Sequence, residues 1–146
     1  MNVLILNEEK FKETYPRLKS RKDMFFISII DPDNKKKSLF REKSNYKTWK
    51  FYDLEYDINN YKAISYEQAR EIRDFIVNNL DKTLVVHCGA GIARSGAIGE
   101  FYWELLGGSY KDLIEKYKWI SPNGRVLTYL RMCDKEDKFT IKVNFI

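Results

Sequence analysis

The sequence is poor in the side chains that build metal sites and disulfide frameworks. Its 146 residues include two cysteines and one histidine. Cys88 and Cys133 lie far apart in the chain and neither belongs to a CxxC pair, which argues against a zinc site or a dithiol redox pair. The single histidine removes most other metal-ligand schemes. We therefore expect no metal and no cofactor.

Long apolar runs are absent as well. No run approaches the ~18 residues that a membrane-spanning helix needs. The first 13 residues, MNVLILNEEKFKE, have an apolar core only at positions 3–6 and do not resemble a secretory signal peptide. We expect no membrane association and a cytoplasmic location, where a free thiolate survives in reducing conditions.

Positive charge is in excess, with 26 Lys and Arg against 21 Asp and Glu and a net charge of +5. Such a field attracts anionic substrates. A lysine run at residues 35–37, with Arg41, Lys43 and Lys47 nearby, follows the turn signal DPDN at residues 31–34. We interpret this run as a solvated loop, and contact with nucleic acid is the less favoured alternative.

Hydrophobic and charged contents of 44% and 32% are typical of a globular domain. The apolar pattern predicts strands at residues 3–6, 24–30, 48–52, 83–86 and 139–145. It predicts helices at residues 7–15, ended by Pro16, and at 65–80, 95–106, 109–119 and 122–132. This alternation predicts a single α/β domain with a central twisted, largely parallel β-sheet flanked by α-helices.

One stretch, TLVVHCGAGIARSGAIGEF at residues 83–101, combines a strand, a Gly-rich loop and a helix start. Gly89 and Gly91 allow successive N–H groups to point inward as an anion-binding nest. The helix that follows adds its positive end, and Arg94 offers a bidentate fork to a phosphate-like dianion. A thiol facing this site ionises easily, which favours Cys88 as a nucleophile in line with a bound phosphate.

The segment HCGAGIARSG resembles the His-Cys-x5-Arg-Ser signature of the protein tyrosine phosphatase superfamily. Three further segments, ISYEQAREIRDFI at 64–76, ISPN at 120–123 and FISIIDPD at 26–33, resemble parts of compact dual-specificity-like members. Together they span residues 24 to about 130. The resemblance implies the cysteine-phosphatase fold for residues 1–146 as one domain, with a C-terminal extension at about 134–146, and hydrolysis of phosphate monoesters without metal.

The resemblance also assigns roles to individual residues. It implies that Cys88 is the nucleophile, that Arg94 binds phosphate and that Ser95 assists breakdown of the intermediate. His87 would shape the loop. The phosphate loop, residues 88–94, would bind the substrate through Gly89, Ala90, Gly91, Ile92, Ala93 and Arg94. Ala93 stands where relatives often have Ser, and the loop lacks the lysine typical of relatives that act on inositol lipids or polyphosphates.

A general acid is expected roughly 30 to 35 residues before the cysteine in this superfamily. Asp53 follows a predicted strand directly and is the preferred candidate, with Asp57 as the alternative. Asn123 either braces the loop or is an ordinary turn residue. Cys133 is expected to be a packed core residue rather than a partner for Cys88.

We expect a cysteine-dependent phosphatase of phosphotyrosine in proteins, with phosphoserine and phosphothreonine as further candidate substrates. Its partner is then a phosphorylated protein or another phosphomonoester. One alternative is a phosphatase of RNA 5′ ends or of a small phosphorylated metabolite. Others are a phosphoprotein-binding module without turnover and, least favoured, a rhodanese-type sulfurtransferase or arsenate reductase.

Overall fold

The computed structural model describes residues 2–144. This part of the chain forms four strands and five helices. In order they are β1 (Val3–Asn7), α1 (Glu8–Leu18), β2 (Met24–Ile30), β3 (Tyr46–Lys50), α2 (Tyr66–Val77), β4 (Thr83–Cys88), α3 (Arg94–Leu105), α4 (Tyr110–Lys116) and α5 (Gly124–Asn144). None of the helices in the described range is long and apolar enough to cross a membrane.

The four strands form one parallel sheet in the order β1-β4-β2-β3. The strand that leads into the Gly-rich loop, β4, is therefore an inner strand, and β2 is its neighbour. Helix α1 covers one face of the sheet, where Phe11 and Tyr15 pack on Phe26, Tyr46 and Val85. The other helices contribute to the larger core on the opposite face. The predicted single α/β domain with a parallel sheet is confirmed.

Helix α2 begins as its sequence predicts. Ser65 is the N-cap, its side chain accepts from the backbone N–H of Gln68 at 3.0 Å, and the Gln68 side chain accepts from the backbone of Ser65 at 3.0 Å. This capping box satisfies two of the N–H groups that a helix leaves free at its start. Ala69, Ile72 and Ile76 then face the core.

Several predicted boundaries are wrong. Helix α2 ends at Val77 and helix α4 at Lys116, each three residues earlier than predicted. Helix α1 does not end at Pro16 but continues to Leu18. Because Phe11 and Tyr15 are buried on the sheet, packing outweighs the one backbone hydrogen bond that Pro16 removes. Strand β3 lies at Tyr46–Lys50, two residues earlier than predicted, because Phe26 and Tyr46 pair in register and Tyr46 is buried against α1.

The predicted C-terminal strand at residues 139–145 is also wrong. Residues 139–144 continue helix α5, and residue 145 lies outside the described residues. The preceding turns of α5 are held against α2 by ion pairs. Arg73 binds Asp134 at 3.1 Å and Asp137, and Arg70 binds Asp137 and Glu136, each at 2.9 Å. Tertiary contacts therefore outweigh the local alternation of apolar and polar residues.

The Arg73–Asp134 pair should contribute measurably to stability, because its side chains are only 12% and 9% exposed. We expect Arg73→Met to lower the free energy of unfolding by about 1.5–3 kcal/mol, since it removes a charge-assisted contact from the nearly buried Asp134 and leaves it only the exposed amine of Lys138, at 2.7 Å. The matched control is Arg21→Met, which breaks a pair that is 54% and 61% exposed. We expect it to leave the free energy of unfolding, measured in urea, nearly unchanged, because an exposed ion pair contributes little. Equal costs would contradict this account of α5.

Candidate active site

The Gly-rich loop is held from behind by the junction of β1 and α1. Gly91 has a φ of +71°, and a Cβ placed there would lie 2.7 Å from the backbone N of Asn7 and 2.8 Å from the carbonyl carbon of Leu6. Only glycine fits this position, on both conformational and steric grounds. The backbone N–H of Glu8 donates to the carbonyl of Gly89 at 3.1 Å. The loop therefore rests on a fixed support.

The loop carbonyls are turned outward. Besides the Gly89 carbonyl, that of Ile92 accepts from Ser121 N–H at 3.1 Å, and that of Ala93 accepts from Asn123 N–H at 3.0 Å. In a trans peptide the carbonyl and the next N–H point in opposite directions. The N–H groups of the following residues therefore face the inside of the loop. Together with the start of α3 they form a cradle for an anion.

The thiol of Cys88 lies at the base of this cradle. The residue is 2% exposed, and its Sγ is 3.0 Å from the Oγ of the fully buried Ser95. A hydroxyl at this distance can donate to a thiolate, which has no proton of its own to give. The structure thus brings together Cys88 and Ser95, as the sequence predicts, at the N-terminal end of α3.

Arg94 turns one edge of its guanidinium toward the cradle. Its Nη1 donates to Asp31 Oδ1 and to the carbonyl of Phe51, both at 2.7 Å. Its Nε is buried and has no hydrogen-bond partner within the described residues. Its Nη2 lies 3.7 Å from where a Cβ on Gly89 would stand. The Nε–Nη2 edge is thus left for two oxygens of a bound anion, which would satisfy the buried donor.

Asp31 is a functional candidate that our sequence reasoning missed. We interpreted residues 31–34 only as a turn, yet the carboxylate of Asp31 fixes the orientation of Arg94. A signal was present in the sequence: Asp31 directly follows a buried strand, as the loop after Cys88 does. Since β2 and β4 are parallel neighbours, their carboxyl ends meet at one edge of the sheet.

A pocket of about 390 Å³ opens above the cradle. Its walls are two aspartates, Arg94 and mostly apolar side chains from one connecting segment. The lining residues are Asp31, Tyr52, Asp53, Leu54, Ile58, Tyr61 and Arg94. The rings of Tyr52 and Tyr61 pack edge to face with centroids 5.1 Å apart. The pocket therefore combines an anion-binding floor with an apolar and aromatic wall.

The geometry separates the two candidate acids. Asp53 lines the pocket, and its Oδ1 accepts from Asn123 Nδ2 at 2.8 Å. Asp57 is turned to its own loop, where it accepts from Ala63 N–H at 3.0 Å. It also lies 3.8 Å from the Lys62 amine and 3.6 Å from Arg125 Nη2. The arrangement favours Asp53 as the acid.

Asn123 connects three parts of the site. Its backbone N–H binds Ala93 of the cradle, and its side-chain amide donates to Asp53 and to the carbonyl of Leu54 at 3.1 Å. Its Oδ1 accepts from Val126 N–H at 3.0 Å and caps α5. Of the two interpretations open at the sequence level, the brace is the one that these contacts favour.

His87 is a buried neutral side chain behind the cysteine. Its ring stacks on Phe11 with centroids 4.1 Å apart. The carbonyl of Cys88, 3.2 Å from Nδ1, can only accept, so Nδ1 carries the proton and Nε2 accepts from the Ser28 hydroxyl. Burial lowers the pKa of His87 to about 4. It is thus a structural support and not an acid at neutral pH.

The lowered pKa of His87 predicts a pH dependence of stability. Between pH 6.5 and pH 4 the unfolded chain binds a proton at this site that the folded chain does not. The free energy of unfolding therefore decreases as the pH is lowered through that window. His87→Gln removes this effect. We expect the difference in unfolding free energy between wild type and variant to narrow by about 2.5 kcal/mol from pH 8 to pH 4.5. Urea unfolding at each pH measures it, and a constant difference would contradict a buried neutral histidine.

No family model matches the sequence, and no curated protein matches it. Solved structures do match the fold. The human tyrosine phosphatase-like serine/threonine/tyrosine-interacting protein superposes with a TM-score of 0.63 at 22% identity, covering 95% of this chain and 93% of that one. PTPMT1 in complex with PI(5)P gives a TM-score of 0.52 at 15% identity, covering 95% and 94%.

Tk-PTP in its active form gives a TM-score of 0.50 at 15% identity, covering 91% of this chain and 90% of that one. These likenesses extend over nearly the whole of each chain. The protein therefore has the fold of these phosphatase and phosphatase-like structures. The cradle, the thiol and the arginine described above lie at the carboxyl end of β4, between this strand and α3.

Proposed function

We propose that the protein is a cysteine-dependent phosphomonoester hydrolase that removes phosphate from phosphotyrosine in proteins. One observation carries the proposal: the unsatisfied Nε–Nη2 edge of Arg94 and the thiol of Cys88 share one cradle, with Asp53 at the rim. This is the arrangement needed to bind a phosphate dianion, attack it and protonate what leaves.

In the first step the phosphate binds to the loop N–H groups and to the free edge of Arg94. The thiolate of Cys88 attacks phosphorus, the sulfur–phosphorus bond forms and the bond to the phenolic oxygen breaks. Asp53, entering in its protonated form, donates its proton to that oxygen, so tyrosine leaves as a neutral phenol. The loop N–H groups stabilise the charge that develops on the phosphoryl oxygens.

In the second step water hydrolyses the cysteinyl-phosphate intermediate. The carboxylate of Asp53 accepts a proton from the water as its oxygen bonds to phosphorus. The sulfur–phosphorus bond breaks, and the Ser95 hydroxyl, 3.0 Å from Sγ, donates a hydrogen bond to the departing thiolate. Inorganic phosphate leaves, and Asp53 is protonated again for the next cycle.

The pocket wall supports an aromatic leaving group. Tyr52, Tyr61, Ile58 and Leu54 line the space above the cradle. An aryl ring buries apolar surface and packs on aromatic edges there, whereas a sugar or polyol would lose hydrogen bonds to water without replacing them. This favours phosphotyrosine over a small hydroxyl-rich phosphorylated metabolite.

The fold alone does not establish turnover. One of the matching structures is described as phosphatase-like and as an interacting protein. A phosphoprotein-binding module on this scaffold would need the cradle but neither a thiol in line with phosphorus nor an acid at the rim. Cys88 and Asp53 are candidates for these two roles, which supports catalysis over binding alone.

The two cysteines provide a matched test. We expect Cys88→Ser to lower the hydrolysis of para-nitrophenyl phosphate by more than about 10³-fold, because a serine hydroxyl is barely ionised in the same cradle. Cys133→Ser should retain activity, since Cys133 is buried in α5 and burial raises the pKa of its thiol. If both variants keep wild-type rates, or if the wild type binds vanadate but hydrolyses nothing, the enzymatic proposal is wrong.

Leaving-group chemistry tests the acid. Tyrosine leaves as a phenol whose pKa is about 10, so it needs protonation, whereas an activated ester does not. We expect Asp53→Asn to cost about 10²–10⁴-fold in kcat on a phosphotyrosine peptide and far less on para-nitrophenyl phosphate.

Asp57→Asn is the matched control, because it removes the same charge from the same segment. We expect it to change both rates only modestly. The basic limb of the pH–rate profile should also disappear in Asp53→Asn alone, since that limb reports the protonated acid. Loss of the limb in Asp57→Asn instead would exchange the two assignments.

A further inference from the structure

A basic turn lies beside the cradle and has no part in the chemistry proposed above. It consists of residues 31–37, DPDNKKK, which follow β2. Its three lysines, residues 35–37, are all exposed. Because β2 and β4 are adjacent parallel strands, this turn and the phosphate loop leave the sheet at the same edge. Asp31, the first residue of the turn, contacts Arg94.

Hydrogen bonds give the turn a defined shape. The backbone N–H of Asn34 donates to the Asp31 carbonyl at 3.0 Å, and the Asn34 side chain accepts from Lys36 N–H at 3.0 Å. From β3, the amine of Lys50 donates to the Asn34 carbonyl at 2.9 Å. The lysines are thus displayed from a structured turn next to the pocket rather than from a loose loop.

The exposed charge of the turn is positive. Asp31 is already paired with Arg94, and Asp33 is exposed. Against these two carboxylates stand the three exposed lysines at 35–37. An anionic group beside the bound phosphate would meet a net attraction.

We propose that the lysines at 35–37 form a subsite for acidic side chains that flank the phosphorylated residue of a protein substrate. This inference rests on the proposed phosphotyrosine phosphatase function and adds a sequence preference to it. Lysine amines are point charges on flexible stems, which suits scattered carboxylates. Single-stranded RNA is the weaker candidate, because residues 31–37 contain no aromatic side chain on which a base could stack.

Four probes test the subsite: para-nitrophenyl phosphate, which has no flanks; two phosphotyrosine peptides that differ only in Glu or Gln at the flanking positions; and a 5′-phosphorylated RNA oligonucleotide. We expect the wild-type kcat/KM for the Glu peptide to exceed that for the Gln peptide by about tenfold at low salt, mostly through KM. Added salt should reduce this ratio toward one.

The test variant replaces Lys35, Lys36 and Lys37 with Gln. It should lose most of the Glu preference while hydrolysing para-nitrophenyl phosphate at the wild-type rate. A matched control replaces Lys19, Lys22 and Lys82 with Gln. These lysines precede β2 or β4 and so lie toward the amino ends of the strands, opposite the phosphate loop. This control removes the same charge and should keep the preference, which separates a local subsite from the net charge of the molecule.

The outcomes are distinct. Hydrolysis of all phosphotyrosine probes without a Glu preference, or a preference lost equally in both lysine variants, would overturn the subsite and leave the proposed function standing. Faster, lysine-dependent hydrolysis of the RNA end would overturn the assignment to acidic protein segments. Absence of hydrolysis of the two peptides and of para-nitrophenyl phosphate would refute the proposed function itself, and the subsite with it.

Discussion

The ion pair between Asp31 and Arg94 is the contact on which the geometry of the site depends. A guanidinium has two edges that can bind an anion, and rotation about its side chain would direct either of them at the cradle. Asp31 and the Phe51 carbonyl occupy Nη1, so only the Nε–Nη2 edge remains for a ligand. The positive charge is thus held in place before any anion binds, which is the preorganisation that the proposed reaction would need.

Asn123 extends this preorganisation to the acid. Its side-chain amide donates to Asp53, and its backbone N–H donates to the carbonyl of Ala93. Its side-chain oxygen caps α5. The distance between the rim and the cradle is thus set by one residue rather than by the packing of two independent loops. Such a short connection would hold the proposed proton donor and the proposed nucleophile at a fixed spacing, which proximity effects in catalysis require.

The local part of this architecture could be predicted from the sequence. The run from β4 through the Gly-rich loop into α3 is contiguous, so its pattern predicts both its structure and the group Cys88, Arg94 and Ser95. The capping box of α2 is likewise a short-range signal. Asp31 could not be assigned in the same way, because its contact with Arg94 depends on which strand lies beside β4. The order of strands in a sheet cannot be predicted from a local sequence pattern.

The errors have the same physical origin. Pro16 is a strong local stop signal, but Phe11 and Tyr15 are anchored on a sheet that the pattern of α1 alone does not reveal. The end of α5 alternates like a strand, yet arginines from α2, more than 60 residues away in the chain, hold the preceding turns helical. Local propensity fails where a distant partner supplies the larger free energy.

The support behind Gly91 has a consequence for how the site assembles during folding. The cradle is bounded by backbone atoms of Leu6 and Asn7 on one side and of Asn123 on the other. The contact of Gly91 with Asn7 joins residues 84 positions apart in the chain, and a contact over such a separation forms late because the entropy of closing the loop opposes it. A nascent chain therefore carries an unassembled thiol until nearly all of its sequence is available. Appearance of the anion-binding site is accordingly a sensitive report that the whole domain, and not one half of it, has folded.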